Sequence, residues 1–540
     1  MLLSNLRSSE DCRFKSVGVN GWVAMSYLRS LSVVASSGPT MSRGRQITSN
    51  HLLLLPLLLV IGLLFRILPP LLSPHIYYSD GIFQTLEPAH RLWFGSGIVT
   101  FEWTEGMRSW LFPGALAMVM AATERLGPGA YGYLFATYML LALLSLAVVV
   151  VGYLFGNRLF GKAGAVTTGG ICVVWYELVY FAPTAFNEVV AGNILVIGVY
   201  LRIWQFAIAG LFFGLAGDLR FHIYPMIVVA IIFVCRGEIR RRWLPLLAGL
   251  IVPVLALAIL DAQTLGTPLQ SVWKNFWINI VQGRAQVSGT APFYWYATQL
   301  ILIWGAAVVP IAAAVAIGAR RLPMLAGMIL IHVIAHSVIA HKEMRFLYPI
   351  MPLIVILIGI GTSEVVIRLT PEGRGLDFYA GSAVAAWGIM SLAIAVGYGF
   401  RANLTQYSEG LLAMEDVGLR QGVCGLGLAV NWWDTGGYTY SHLSVPMYWV
   451  PGDISELYKS AASFNYALVP KPLSSHFEGF ELLRCWDPGR RPIGDPRGFP
   501  LCLLRRAGNC NANPNFEINK VLAGIGLSYM PSVLPVWGTP

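Results

Sequence analysis

Long apolar runs separated by short polar breaks occupy most of this chain, from about residue 51 to residue 400. A stretch of roughly 17–25 apolar residues spans about 30 Å of hydrocarbon as a helix. On that measure spans are expected over 51–68, 131–155, 163–181, 189–202, 206–217, 223–235, 244–260, 298–317, 324–340, 347–367 and 380–396. That makes about eleven. Pro56 lies inside the first, where neighbouring helices can satisfy the freed carbonyl. The run 111–123 is apolar but short, and is expected to lie in the interface or re-enter rather than cross. The segments 189–202 and 206–217 are also short, so either the helix is broken there or the bilayer thins.

Charge orients these spans. Lys and Arg concentrate in short cytoplasmic loops, and here the basic loops are 157–162, 236–242, Arg320-Arg321 and 368–374. With those inside, every unusual polar motif falls on the opposite face: the large first loop 69–110, Asn187-Glu188, 218–222, 264–296 and 341–345. That convergence points to a single site on the non-cytoplasmic side.

The flanks differ from the middle. Residues 1–50 carry Arg7, Arg13, Lys15, Arg29, Arg43 and Arg45 and do not read as a cleavable signal peptide. They form a cytoplasmic leader, or the chain starts at Met41. Residues 401–540 form a polar tail with strand-like pieces such as Tyr466-Ala467-Leu468-Val469 and turn signals such as Asp434-Thr435-Gly436-Gly437. A soluble non-cytoplasmic α/β domain is expected. Cys424, Cys485, Cys502 and Cys510 can make two disulfides in three connectivities. Zinc is less well supported, for want of a Cys-x2-Cys spacing. Cys12, Cys172 and Cys235 fall in the leader or in spans and look inert.

Composition agrees. Of 540 residues, 56% are hydrophobic and 12% charged, and mean hydropathy is +0.63. Soluble domains carry about 25% charged residues, so the bilayer is the natural solvent. The net charge of +10 sits largely in loops. It reports topology and not a nucleic-acid surface.

Two segments carry candidate chemistry. The first runs Tyr78-Ser79-Asp80-Gly81-Ile82-Phe83-Gln84-Thr85-Leu86-Glu87-Pro88-Ala89-His90-Arg91, and later Phe101-Glu102-Trp103-Thr104-Glu105-Gly106-Met107-Arg108-Ser109-Trp110. Asp80 lies just outside a membrane helix, where it can act as general base on a sugar hydroxyl. Gln84, Glu87, Glu102, Arg108 and Glu188 are candidates to support the site or the acceptor. Glu87, Glu102 and Glu105 would do so structurally, by pairing with Arg91 or Arg108. The second segment, His336 to Pro349, sets His341, Lys342 and Arg345 together at the exit of a span. Positive charge is disfavoured on that face, so such a cluster suits a lipid phosphate. Arg220, at the mouth of its helix, is a further phosphate-binding candidate.

These segments resemble the signatures of the dolichyl-phosphate-mannose-dependent mannosyltransferases of GPI-anchor and N-glycan synthesis, glycosyltransferase family 22 of the GT-C superfamily. The first loop of that family reads approximately His-Pro-Asp-Glu-x-Phe-Gln, Leu-Glu-x-Ala-His-Arg, Thr-Trp-Glu-Trp and Ile-Arg-Ser. The counterparts here are Asp80, Phe83-Gln84, Leu86-Glu87, Ala89-His90-Arg91, Phe101-Glu102-Trp103 and Arg108-Ser109. The family's His-Lys-Glu-x-Arg-Phe is His341 to Phe346. Its Gly-Thr-x-Pro-x-x-Trp-Tyr loop is similar to Gly289 to Tyr296. The matches cover Asp80 to Phe346 and leave the tail out. Two positions depart: Tyr78-Ser79 replaces His-Pro, and Gly81 replaces the second acid.

The resemblance implies a GT-C membrane fold and inverting transfer of a sugar, mannose or another hexose, from a polyprenyl- or dolichyl-phosphate to a glycan or glycolipid acceptor. Asp80 is the implied base. His341, Lys342, Arg345 and Arg220 would hold the leaving phosphate, with no cofactor or metal. No G-x-G-x-x-G nucleotide pattern is framed by strand and helix, which suits a lipid-carried donor. The alternatives are a non-catalytic homologue, suggested by Gly81, and a lipid or sugar transporter. The transporter reading lacks support from internal repeats or paired broken helices. The Trp-, Gly- and Cys-containing tail suggests a bacterial member, with the site facing the periplasm. In a eukaryote it would face the lumen of the endoplasmic reticulum, where Asn403-Leu404-Thr405 fits a glycosylation acceptor.

Overall fold

The apolar runs form helices because the bilayer leaves backbone groups no partner outside the helix itself. The structure is a computed structural model that describes residues 53–76, 78–202, 205–234, 239–371, 375–397, 405–452, 454–488 and 499–525. The leader 1–50, Cys12, Cys235, Asn403 and Leu404 lie outside the described residues. Helices α1 (Leu54–Leu72), α2 (Glu87–Phe94) and α3 (Leu111–Thr123) are followed by α4 (Tyr131–Val174). Then come α5 (Asn187–Leu201), α6 (Phe206–Leu219), α7 (Tyr224–Val234), α8 (Ile239–Thr264) and α9 (Trp295–Trp304). The membrane part ends with α10 (Val308–Arg321), α11 (Pro323–Val338), α12 (Met351–Leu369) and α13 (Leu376–Gly397).

Six described helical segments are long and apolar enough to cross a membrane, and four shorter apolar helices accompany them. The 44-residue α4 is two helices in one, because Gly161 adopts φ 63° and ψ −151° and breaks it. Its halves fold back on each other along small residues. A Cβ added to Gly156 would meet the Gly164 carbonyl oxygen, and one added to Gly152 would meet Cys172. With α4 counted as two, each of the eleven expected segments is helical. The same close approach joins α6 to α8, where a Cβ on Gly210 would lie 1.9 Å from the Leu246 oxygen. It also joins α10 to α12 through Gly318 and Gly361. Small residues let membrane helices gain dispersion contact where no hydrophobic force separates protein from lipid.

One buried cation sits inside this bundle. Arg66 of α1 is fully buried, donating to Ser145 Oγ at 2.9 Å and to the carbonyls of Gly62 and Cys172, each at 3.0 Å. It thereby ties α1 to both halves of α4.

Beyond the membrane part, α14 (Ser408–Gly418) precedes a five-stranded sheet. The strands are β1 (Leu426–Leu428), β2 (Met447–Trp449), β3 (Tyr466–Pro470), β4 (Phe480–Trp486) and β5 (Leu501–Arg506). Their order is β2-β1-β3-β5-β4, parallel across β2, β1 and β3 and antiparallel at β5 and β4. The parallel strands are joined by helical crossovers, as parallel pairing requires. The expected strand at 466–469 is β3, and the expected turn at 434–437 has Gly436 at φ 82° and Gly437 at φ 58°. Of the three possible connectivities, Cys424–Cys510 and Cys485–Cys502 are formed, the second between facing residues of β4 and β5. Cys172 is a buried free thiol.

Candidate active site

The site begins where α1 ends and the chain turns back. Residues Ile82–Leu86 form a π-helical turn, all five of them buried. This wide turn is a form often found at functional sites. Gln84 donates to Asp80 on the same turn, and also to Glu102 Oε1 at 3.0 Å. Arg108 lies 3.8 Å from that Glu102 oxygen. The other Glu102 oxygen and Arg108 Nε are buried without a hydrogen-bond partner among the described residues. The turn is pinned from α5's side as well. Thr85 Oγ1 donates to the Ala185 carbonyl at 2.9 Å. Gly81 packs on the Phe186 ring, 2.7 Å from where a Cβ would stand. A second acid at that position would have to displace Phe186.

The His341–Phe346 segment meets this turn. Arg345 Nη1 lies 2.9 Å from Asp80 Oδ2, and Arg345 Nε lies 2.6 Å from Glu343 Oε2. The guanidinium also lies over the Tyr78 and Phe346 rings, at 5.4 and 5.3 Å. His341 places Nε2 2.8 Å from Glu343 Oε1 and Nδ1 2.9 Å from the Gly289 oxygen. Both ring nitrogens face acceptors, which suits the imidazolium. Burial works against that charge, but Glu343 outweighs it and holds the His341 pKa above its ordinary value. Burial likewise opposes charge on Glu343, and Arg345 and His341 overcome it and keep its carboxylate ionised. Asp80 goes the other way. Burial raises its pKa, Glu343 and Glu102 add to the rise, and Arg345 only partly opposes them. A raised but titratable carboxyl is what general-base work near neutrality needs.

Lys342 is placed differently from expectation. Its ammonium donates to the backbone oxygens of Ala291 (3.0 Å) and Ile339 (2.5 Å). Together with the Ala291 N–H to Ala340 bond at 2.9 Å, it fastens the Gly289–Tyr296 loop to the cation segment. Arg220 is buried and ion-paired with Glu188 on α5. Glu177, Glu188 and Arg345 line one cavity, whose remaining walls are mainly apolar, Phe181, Phe186, Leu300, Ile303 and Met351 among them.

Glu87 is not part of this cluster, nor does it pair with Arg91 or Arg108. Its carboxylate accepts from Ile98 N (2.6 Å), Thr439 N (2.5 Å) and Thr439 Oγ1 (2.8 Å), joining the first loop to the tail. Arg91 donates instead to the Gly97 oxygen, and Glu105 pairs with Lys274 at 3.7 Å. Four residues were not singled out from sequence. Glu343 bridges His341 and Arg345, Glu177 lines the cavity and accepts from Trp304 Nε1 at 3.1 Å, and His222 and His336 meet edge-on near Arg220 with ring centroids 5.7 Å apart. Glu343 could have been found from its place between two cations. The others need the fold.

A carboxylate, an arginine and an apolar cavity thus converge on one face, in the sequence frame of three matching motifs. Residues 57–413 match the Alg9-like mannosyltransferase family. The chain belongs to that family. It is 25% identical over 310 residues to GPI mannosyltransferase 3 of Yarrowia lipolytica, covering 55% of this chain and 60% of that one. It is 25% identical over 332 residues to GPI alpha-1,2-mannosyltransferase 3 of Xenopus laevis, covering 56% and 59%. The chain therefore spans somewhat less than two thirds of these relatives' length. Among solved structures, ArnT from Cupriavidus metallidurans bound to undecaprenyl phosphate superposes with a TM-score of 0.58 at 12% identity, over 87% of this chain and 100% of that one. That likeness shows the GT-C fold. Asp80 and His341 to Phe346 all lie within the matched residues. The family match stops inside α14, short of the sheet.

Proposed function

We propose that this protein is an inverting mannosyltransferase that moves a sugar from a polyprenyl-phosphate to a hydroxyl of a glycan or glycolipid, on the non-cytoplasmic face of its membrane. The observation that carries this reading is the Asp80–Arg345 pair, 2.9 Å apart, with Arg345 on the wall of a mainly apolar cavity that Glu177 and Glu188 also line. The apolar walls suit the first carbons of a prenyl chain, and Arg345 its phosphate. Donor phosphate would compete with Asp80 for the guanidinium and leave the carboxylate free. The acceptor oxygen then attacks the anomeric carbon as its proton passes to Asp80. The carbon–oxygen bond to phosphate breaks with its electron pair on the phosphate, which Arg345 and the His341 imidazolium stabilise. Arg220 would join them if phosphate draws it from Glu188. Lys342 acts by holding the loop and not by touching phosphate.

The names of the relatives support a mannose donor and a GPI-like glycolipid acceptor, and the undecaprenyl phosphate in the related structure supports a polyprenyl carrier. The two disulfides favour an oxidising compartment for the tail. In a bacterium, which the tail suggests, that is the periplasmic side of the inner membrane. In a eukaryote it is the lumen of the endoplasmic reticulum. Gly81 removes the second acid in sequence, but Glu343 brings a carboxylate close in space, which favours an active enzyme over a silent homologue.

The test is transfer from radiolabelled polyprenyl-phosphate mannose to lipid-linked mannosides by the purified full-length protein, beside Asp80→Asn. Loss of a general base costs about 10²–10⁴-fold, so transfer should fall by at least a hundredfold with donor binding retained. An Asp80→Asn protein that transfers normally would remove Asp80 as base. Donor bound and carried across a membrane without transfer would favour the transporter.

A further inference from the structure

The tail, which lies outside the family match, places aromatic rings beside the base. Phe83 sits on the same turn as Asp80 and Gln84 and is fully buried. Its ring meets Trp432 edge-on at 4.8 Å, and lies against Trp433 at 5.0 Å with only 14° between planes. Trp432 is 2% exposed, yet its Nε1–H has no hydrogen-bond partner among the described residues. Trp433 is only partly buried.

This corner is rigidly held. Asn431 Oδ1 accepts from Trp433 N at 3.3 Å, and Thr435 Oγ1 donates to the Trp432 oxygen at 2.8 Å. The turn that follows runs into Thr439, which Glu87 grips through both its N–H and its hydroxyl. An orphaned buried donor beside a partly exposed indole, both packed on the Phe83 ring that shares a turn with Asp80, suits a ligand with an apolar C–H face and a polar rim. Pyranose sugars have that shape. The donor's phosphate end and lipid are accounted for by Arg345 and the apolar cavity. A sugar on the Phe83 side would be the acceptor.

Building on the mannosyltransferase reading, we propose that Trp433 is the acceptor platform: it stacks on the acceptor sugar, whose hydroxyl rim takes a hydrogen bond from Trp432 Nε1, and so presents a neighbouring hydroxyl to Asp80. Substrate choice then resides in part in the C-terminal domain, outside the segment shared with the family.

Two measurements on the full-length protein test this. In the transfer assay, Trp433→Ala should raise the acceptor KM about tenfold or more, as expected for loss of an aromatic contact. The donor KM should stay unchanged, and Trp433→Phe should recover most of the loss. In a titration with α-mannobiose read by intrinsic fluorescence, the wild type should show a saturable change that Trp433→Ala loses. Equal mannobiose affinity in the wild type and Trp433→Ala would overturn the platform, whatever the transfer assay gives. So would a Trp433→Ala defect spread equally over donor and acceptor that phenylalanine fails to rescue, since that marks a purely structural role. A wild type that binds mannobiose through Trp433 but transfers nothing would sink the enzyme reading while keeping the platform.

Discussion

At the scale of single residues, Glu343 sets the charge state of two partners in opposite roles. Its carboxylate raises the pKa of His341 and, by repulsion, contributes to the raised pKa of Asp80. In the proposed mechanism the base form of Asp80 is needed for attack, so the rate should rise with pH through its pKa. The same mechanism needs the imidazolium for departure, so the rate should fall as pH passes the pKa of His341. Glu343→Gln removes the negative charge from both neighbours and lowers both values. The whole bell-shaped profile of kcat/KM should therefore move to lower pH. A profile that stays put, or moves up, would detach Glu343 from the chemistry. That Asp80, Arg345 and His341 would gather in one place was legible in the sequence, because charge is scarce in this chain and these groups fall on one side of the expected spans. The fate of Lys342 was not legible. Spacing places an ammonium near its neighbours but does not say that two backbone oxygens will claim it.

At the scale of elements, the apolar runs predicted the helices closely, since hydropathy and helix formation have the same cause in a bilayer. What the runs could not convey is how near the helices come to one another. Gly210 reads as a weak point in an apolar stretch, yet it is where α6 and α8 touch. Gly210→Val would drive a branched side chain into the Leu246 carbonyl, 1.9 Å from the Cβ position. Overpacking of this kind costs about 1–3 kcal/mol. The melting temperature in detergent should drop, with the residual folded protein retaining its KM. An unchanged melting temperature would mean that the two helices have slack. The break at Gly161 was legible, because the basic loop 157–162 separates two expected spans, but its φ of 63° was not.

At the scale of the whole molecule, the first loop and the tail are a single structure. His90 Nε2 meets His442 Nδ1 at 3.2 Å, Ser96 Oγ donates to the Leu443 oxygen at 2.9 Å, and Val99 N donates to Asn519 Oδ1 at 2.8 Å. Glu87 is the buried centre of this seam. Burial, against its hydrogen bonds to Ile98 and Thr439, lifts its pKa to about 7 from 4.5. The folded protein thus holds a proton that the unfolded chain releases first. The associated stability is complete below pH 4.5 and is lost as pH rises to about 7. His90, pushed by burial down to about 4, stays neutral over most of that range. Thermal stability should decline from pH 5 to 7, and Glu87→Gln, which cannot ionise, should flatten the decline. A slope that survives the substitution would assign it to another group. None of this seam was legible in sequence, where Glu87 pointed to nearby arginines. The tail residues that complete it lie 347 to 420 positions away.

That separation has a consequence for how the protein comes into being. The loop carrying Asp80 is the first described segment to leave the membrane, and the residues that lock it arrive at the other end of synthesis, 352 positions later for His90 and His442. Every helix of the bundle must be inserted, and the cysteines of the tail joined, before the turn around Asp80 has its final neighbours. A chain truncated before the sheet would carry all three signature motifs and still lack the contacts that complete the turn around Asp80, so on the proposed function no working site would meet a lipid-linked sugar before these strands had been made.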